Sequence, residues 1–396
     1  MKLKKPRIFM ILFCLLILMF LSNDFGIIDI EKTAIVTAVA VDLLDDEYSV
    51  SVQISVPEAT DSNTENQKAL LTGSGSTVGG AIKDIGNVSG WFPKLSFCNL
   101  IILGSSFKDE NVIETLDYFA KTLRIQDSAV VCFAEKTAKE VLDTASPLDN
   151  ISSFAIQKVL LKDAGLDRDI ATNDIRKFAI GYYDRNSFSY MPIAKIIPQS
   201  GGGDSSGASG GDSQGGSQSG GQFGNKGQSL YDLSNTALFL NGRLKGVLDT
   251  PLTFTFKMLS SDVKESLLHL ENADDEGANY SLTLLRNTPK ISMDFKDGYD
   301  LNINLNIYCK VSDVKKPNTD STYASNKTLP PSVKKKAEEL LKGRITKLFN
   351  MAKTTGCDIL GLDNIMYKYH HKKYAEYKND LYNCDLNISV TFTAQK

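Results

Sequence analysis

Histidine is nearly absent from this 396-residue chain: His269, His370 and His371 are the complete set. Nucleophilic hydrolases of the Ser-His-Asp or Cys-His kind need a positioned imidazole, and so few candidates argue against them. The six cysteines (Cys14, Cys98, Cys132, Cys309, Cys357 and Cys384) stand singly, with no CxxC pair. Closely spaced Cys/His ligands of a zinc site are therefore missing. No charge of one sign dominates. The 44 basic and 47 acidic residues leave a net charge of −3, unlike the basic excess of a nucleic-acid binder. The GxxxxGK[ST] phosphate loop is lacking as well. No catalytic residue, cofactor, metal or nucleic acid is expected.

Two segments depart from the globular average. Lys2, Lys4, Lys5 and Arg7 precede an uncharged run from Ile8 to Leu21. A basic flank before an apolar run marks an export signal or a membrane anchor. As a helix, the fourteen residues of the run would extend ~21 Å, short of the ~30 Å hydrocarbon core. The run ends Met19-Phe20-Leu21-Ser22, without the small residues of a good cleavage site, and Cys14 lies mid-run after Phe13, which suits a lipoprotein poorly. An uncleaved anchor formed by Ile8, Leu12, Cys14, Leu16, Leu18 and Leu21 is preferred, with a weakly cleaved signal as the alternative. The basic flank would keep the N-terminus cytoplasmic and place the rest outside. The second segment, residues 200–228, holds twelve glycines in twenty-nine residues. It carries too little apolar surface to offset its ordering entropy, so it is expected as a flexible linker or insertion.

Elsewhere the pattern is α/β. Thr33–Asp42 and the alternating Tyr48–Val56 read as a hairpin around Asp45-Asp46-Glu47. Residues 58–76 are polar and Gly-rich and are expected as a loop. Helical spacing over Thr77–Val88, Asn111–Leu123, Thr137–Leu142, Ile151–Leu161 and Thr172–Gly181 alternates with strands at Phe97–Leu103, Ala129–Ala134 and Phe188–Ile197. Trp91-Phe92-Pro93 is a turn with partner-contact character, though a satellite core cluster is the preferred reading. Cys98, Cys132 and Cys309 are expected as buried apolar residues in strands.

In the second half, Asn235–Leu240 and Leu244–Leu248 flank an Asn241-Gly242 hairpin turn. A helix is expected around Ser261–Leu270, then strands at Ser281–Arg286, Lys290–Phe295 and Asp300–Val311. The last alternates Leu301, Ile303, Leu305 and Ile307 against Asn302, Asn304, Asn306 and Tyr308. After Pro330-Pro331, with Ser332 as N-cap, a long amphipathic helix runs to Gly356. Asp358 and Asp363 flank a Gly turn, where capping explains them as well as catalysis does. His370 and His371 are adjacent, so on a helix they diverge by about 100° and cannot chelate one ion. Tyr367, Tyr369, Tyr374 and Tyr377 stand among lysines. They could form an aromatic-basic surface, but rings packed on the sheet with lysines outward is preferred. Leu386–Thr393 is a final strand, expected to cross back into the sheet.

Taken in order, several of these segments resemble the Ger(x)C family, the C subunits of bacterial nutrient germinant receptors of endospores. They are the opening strand Glu31–Asp42, the hairpin ending Val56-Pro57, and Ala237–Asp249. The most specific part is the long helix followed by Cys357–Leu362, Tyr367-Lys368-Tyr369 and Tyr374–Tyr377. The candidate partner-contact residues on these segments are Asp358, Gly361, Tyr367, Tyr374 and Tyr377. Family members are usually lipoproteins with a modified cysteine followed by Trp-Asp. Here the matching stretch is Ser22-Asn23-Asp24-Phe25, so the uncleaved helix would replace the lipid.

The resemblance implies a mixed α/β (α+β) protein, with a membrane anchor followed by two to three domains. A signal or anchor would occupy residues 1–29 and an N-terminal α/β region 30–198. A Gly/Ser-rich linker or insertion would occupy 199–229, and a C-terminal region 230–396 whose largely antiparallel sheet packs on the long helix. It further implies a non-enzymatic, membrane-tethered receptor subunit on the outer face of the spore inner membrane, with multi-spanning membrane subunits as partners. The alternative is an extracytoplasmic envelope binding or assembly protein unrelated to germination.

Overall fold

The computed structural model of the chain describes residues 9–10, 12–17, 33–55, 68–121, 125–144, 146–147, 149, 151–160, 170–198, 229–261, 263–295, 298–317 and 329–395. The first unit is built on a ten-stranded mixed sheet. In chain order its strands are β1 (Thr33–Leu44), β2 (Glu47–Ser55), β3 (Lys68–Gly75), β4 (Phe92–Lys94), β5 (Leu100–Leu103), β6 (Val130–Ala134), β7 (Asn173–Asp174), β8 (Phe188–Pro198), β9 (Ser229–Leu240) and β10 (Arg243–Leu248). The spatial order is β10-β9-β8-β6-β5-β1-β2-β3, with β4 beside β1 and β7 beside β6. β1, β5, β6 and β8 run parallel. The expected β1–β2 hairpin turns on Asp45 and Asp46, both at positive φ.

Among the described residues five helices cover the sheet: α1 (Val78–Ser89), α2 (Val112–Lys121), α3 (Ala138–Asp143), α4 (Ser152–Leu160) and α5 (Ile175–Tyr183). The strand period of two assigns the faces. Val39, Val41, Ile101, Leu103, Phe133 and Phe239 pack with α1, α2 and α5. Ala38, Ala40, Leu100, Ile102 and Cys132 pack with α3 and α4. Strands covered on both sides give the near-continuous apolar runs seen in the sequence.

The loop expected over 58–76 is corrected in part, because Lys68–Gly75 forms β3, antiparallel to β2. Its glycines explain the misreading. A side chain at Gly73 or Gly75 would meet the backbone of Ala81 in α1, so small residues here mark close packing. Residues 56–67 lie outside the described set.

β8 and β9 form an antiparallel hairpin, paired from Phe188↔Leu240 to Pro198↔Ser229. The Gly/Ser tract therefore enters and leaves at adjacent strand ends, and β9 and β10 complete the first sheet. Deleting residues 200–227 should leave thermal stability intact or raise it by about 1–2 kcal/mol, because closing a shorter loop costs less entropy. A thermal melt of the deletion variant checks this, and a marked loss of stability contradicts it.

The second unit contains α6 (Thr250–Ser260), β11 (Ser266–Leu270), β12 (Asn279–Asp294), β13 (Asp300–Lys315), α7 (Pro331–Thr355), α8 (Leu362–Tyr369), α9 (His371–Tyr377) and β14 (Asp385–Ala394). Its sheet has the order β11-β12-β13-β14. Only the β13–β14 pair is parallel, so the last strand does cross back after the helices. Val333, Ala337, Leu341, Ile345, Leu348, Phe349 and Ala352 of α7 are buried in one core with Leu301, Ile303, Leu305 and Ile307.

Three local expectations are corrected. The helix placed over Ser261–Leu270 ends at Ser260, and Ser266–Leu270 is a strand in which Ser266, Leu268 and Leu270 are buried and alternate with exposed Leu267 and His269. The strands expected at Ser281–Arg286 and Lys290–Phe295 are one continuous β12. Pro289 is tolerated within it because β11 pairs only with Tyr280–Leu284, which leaves β12 without a strand on that side at Pro289. The N-cap of α7 is Pro330, not Ser332. Pro331 occupies the first helical position, where its missing N–H costs nothing.

Candidate functional site

The turn after α7 is organised by one carboxylate. Gly356 (φ 72°) ends α7 and donates to Ala352 O at 2.9 Å, placing Asp358 inside the protein. Its Oδ1 accepts the N–H of Leu362 at 2.7 Å and the Tyr382 hydroxyl at 2.7 Å. Its Oδ2 accepts the N–H of Asp363 at 3.0 Å and Asn186 Nδ2 at 2.9 Å. Gly361 (φ 68°) supplies the left-handed residue that starts α8. The Asp358 carboxylate thus serves two N–H groups left unsatisfied at the start of α8. Burial, then the neighbouring Asp358 charge, pushes the Tyr382 hydroxyl well above the usual phenol range.

A second buried carboxylate, Asp363, lies one turn on. Its Oδ2 accepts Arg185 Nε at 3.0 Å, and its Oδ1 accepts the Tyr374 hydroxyl at 2.8 Å. The Arg185 guanidinium lies 3.9 Å from the centroid of the Tyr367 ring, a cation–π distance. Its Nη2 donates to Asn364 Oδ1 at 3.2 Å. Tyr374 meets Tyr367 edge-on at 5.3 Å, and burial raises the Tyr374 hydroxyl before its bond to Asp363 adds to the effect. Tyr377 packs with Phe295 and Tyr299.

The structure therefore brings Asp358, Gly361, Tyr367 and Tyr374 together with a turn of the first unit, Asp184–Ser187. Tyr377 sits in a neighbouring aromatic cluster. Asp358 is 4% exposed and its oxygens are occupied, so it does not present itself to a partner. Tyr367 is 40% exposed. The arrangement is a latch between the two units. Arg185, Asn186 and Tyr382 complete it and were not legible beforehand. The polar Asp-Arg-Asn-Ser sequence before β8 reads only as a turn.

Other candidates fall apart. His370 packs on Phe295 and His371 on Tyr367, which matches their divergence. Among the described residues no group of three or more His, Cys, Asp or Glu side chains could hold a metal ion. Cys98, Cys132, Cys309 and Cys357 are buried free thiols. Burial pushes Cys98 up to about 12 and Cys309 up to about 11. Of the anchor residues, Leu12, Cys14 and Leu16 are helical and exposed, whereas Ile8, Leu18 and Leu21 lie outside the described residues. Among the described residues no helix is long and apolar enough to cross a membrane.

Residues 26–196 match the family described as "Spore germination protein N-terminal domain". Residues 234–395 match "Spore germination B3/ GerAC like, C-terminal". The chain belongs to the Ger(x)C family of spore germination proteins. No curated protein matches it. Among solved structures it is similar to one titled "Crystal Structure of the GerBC protein", with a TM-score of 0.52 and 14% identity over 90% of this chain and 96% of the other. That likeness concerns the fold, and it extends through both Ger(x)C units.

Proposed function

We propose that this Ger(x)C protein is a non-enzymatic, membrane-tethered subunit of a spore nutrient germinant receptor and is required for nutrient-triggered germination. The observation that carries this reading is the two family matches, in order, along one chain. The geometry agrees with a binding role, since the polar groups best suited to chemistry, Asp358, Asp363, Arg185 and Tyr382, are taken up by one another. The Ile8–Leu21 run anchors the chain, and the folded units lie outside the spore inner membrane. Multi-spanning membrane subunits are the partners, contacted in part through the exposed Tyr367. Asp358, Gly361, Tyr374 and Tyr377 shape that surface from behind.

Deleting the coding region in the parent spore former should abolish the response to the cognate nutrient, and a plasmid copy should restore it. Normal nutrient germination in a strain without a redundant receptor overturns the proposal. Co-purification from spores should recover two multi-spanning subunits. Recovery of envelope-assembly proteins in their place favours the alternative reading.

A further inference from the structure

The segment between α1 and β5 carries a set of exposed apolar side chains that the fold does not cover. Val88 is 79% exposed, Trp91 47%, Phe92 60% and Phe97 53%. The sequence favoured a satellite core for Trp91-Phe92-Pro93, and these exposures correct it. The local geometry turns the rings outward. Gly90 (φ 73°) ends α1 and donates to Gly86 O. The Trp91 N–H donates to Ser89 Oγ at 3.1 Å, and β4 then runs parallel to the start of β1, Thr33↔Phe92 through Ile35↔Lys94. That pairing adds Ile35, itself 39% exposed, to the same rim.

The rim's position says what covers it. β1 begins here, so this is where the chain arrives from its N-terminal apolar run. Only residues 22–32 separate Leu21 from Thr33, a reach of at most about 40 Å. β1 then travels some 40 Å away at 3.3–3.4 Å per residue to the acidic turn Asp45-Asp46-Glu47. Exposed Lys94 stands beside the rings at the apolar end, and an anionic lipid surface attracts it. Tryptophan and phenylalanine beside a lysine are the residue types that settle at headgroup depth. Four exposed large apolar side chains within residues 88–97 call for an occupant.

We propose that the rim formed by Ile35, Val88, Trp91, Phe92 and Phe97 lies in the headgroup layer of the membrane that the N-terminal run anchors, and so fixes the first sheet with β1 pointing away from the bilayer. This rests on the tethering reading above. The tether supplies attachment, and the rim supplies orientation.

Trp91 is the sole tryptophan of the chain, so its fluorescence reports on this rim without labelling. The full chain is reconstituted in phosphatidylglycerol/phosphatidylethanolamine vesicles, with and without lipids brominated close to the headgroup, and flotation is scored in parallel. Co-flotation, blue-shifted emission and about twofold quenching by the brominated lipids, as for an interfacial tryptophan, are expected. The double variant Phe92→Ser/Phe97→Ser should still float and melt as the parent does, because both rings are exposed, yet lose most of that quenching. Co-flotation with Trp91 unquenched by bromolipid and open to aqueous acrylamide overturns the proposal and leaves the tether standing. Failure to float overturns both. Trp91 shielded only when multi-spanning subunits are added also overturns it and assigns the rim to a protein partner.

Discussion

Asp358→Ala is expected to lower the stability of the second unit by about 4 kcal/mol. The carboxylate accepts two backbone N–H groups, a buried tyrosine hydroxyl and an asparagine amide. Alanine leaves these donors facing a small gap, and each buried unpaired donor costs about 1–3 kcal/mol. Water entering the gap recovers part of that sum. Asp358→Asn keeps one acceptor oxygen, so its loss should be about half as large, while its amide nitrogen would face other donors. Urea unfolding measures both, as a midpoint shift at an unchanged slope. A midpoint like the parent's for Asp358→Ala would show that the turn does not depend on this carboxylate and would return Asp358 to the list of surface contacts.

Phe239→Ala should cost about as much, about 3–5 kcal/mol, by a different route. The ring is fully buried and meets Phe133 and Phe178 edge-on at 5.8 Å and 5.6 Å. Removing it opens a cavity walled by β6, α5 and β9. Because β9 follows the Gly/Ser tract in sequence but sits in the first sheet, the damage should spread backward along the chain. Amide exchange at Val131 and Phe133 in β6 should accelerate along with that of β9. Acceleration confined to residues beyond 229 would mean that the hairpin across the tract contributes nothing to the first sheet.

Much of the architecture is legible in the sequence because period and burial coincide. In β13 the isoleucines and leucines alternate with asparagines, and in α7 one stripe recurs every three to four residues. Each pattern is produced by a single covered face. The misreadings occur where one signal has two physical causes. Glycines in β3 signal close helix packing, yet in sequence they read as a loop. The short run Ser266–Leu270 holds three leucines that suit a helix as well as a strand, and only its partner β12 decides. The latch was half visible. Asp358 and Gly361 announce a capped turn locally, but Arg185 pairs with Asp363 across 178 positions, and nothing near Arg185 points to that partner. The separate roles of Tyr367, exposed, and Asp358, buried, also follow only from the three-dimensional arrangement.

The parallel pairing of β13 with β14 bears on how the protein is made. Asp300 aligns with Asp385 and Cys309 with Ala394, so the central strand of the second sheet waits for residues 385–394 to be synthesised before its far edge is paired. Until then Leu301, Ile303 and Leu305 lie on an open edge, and α7 lacks the cover of Val390 and Phe392, both buried in the finished core. A chain cut before Asp385 would keep its first sheet complete and could not close its second. β14 is therefore the closing element of the second unit: a chain lacking residues 385–394 is left with β13 as an open strand edge.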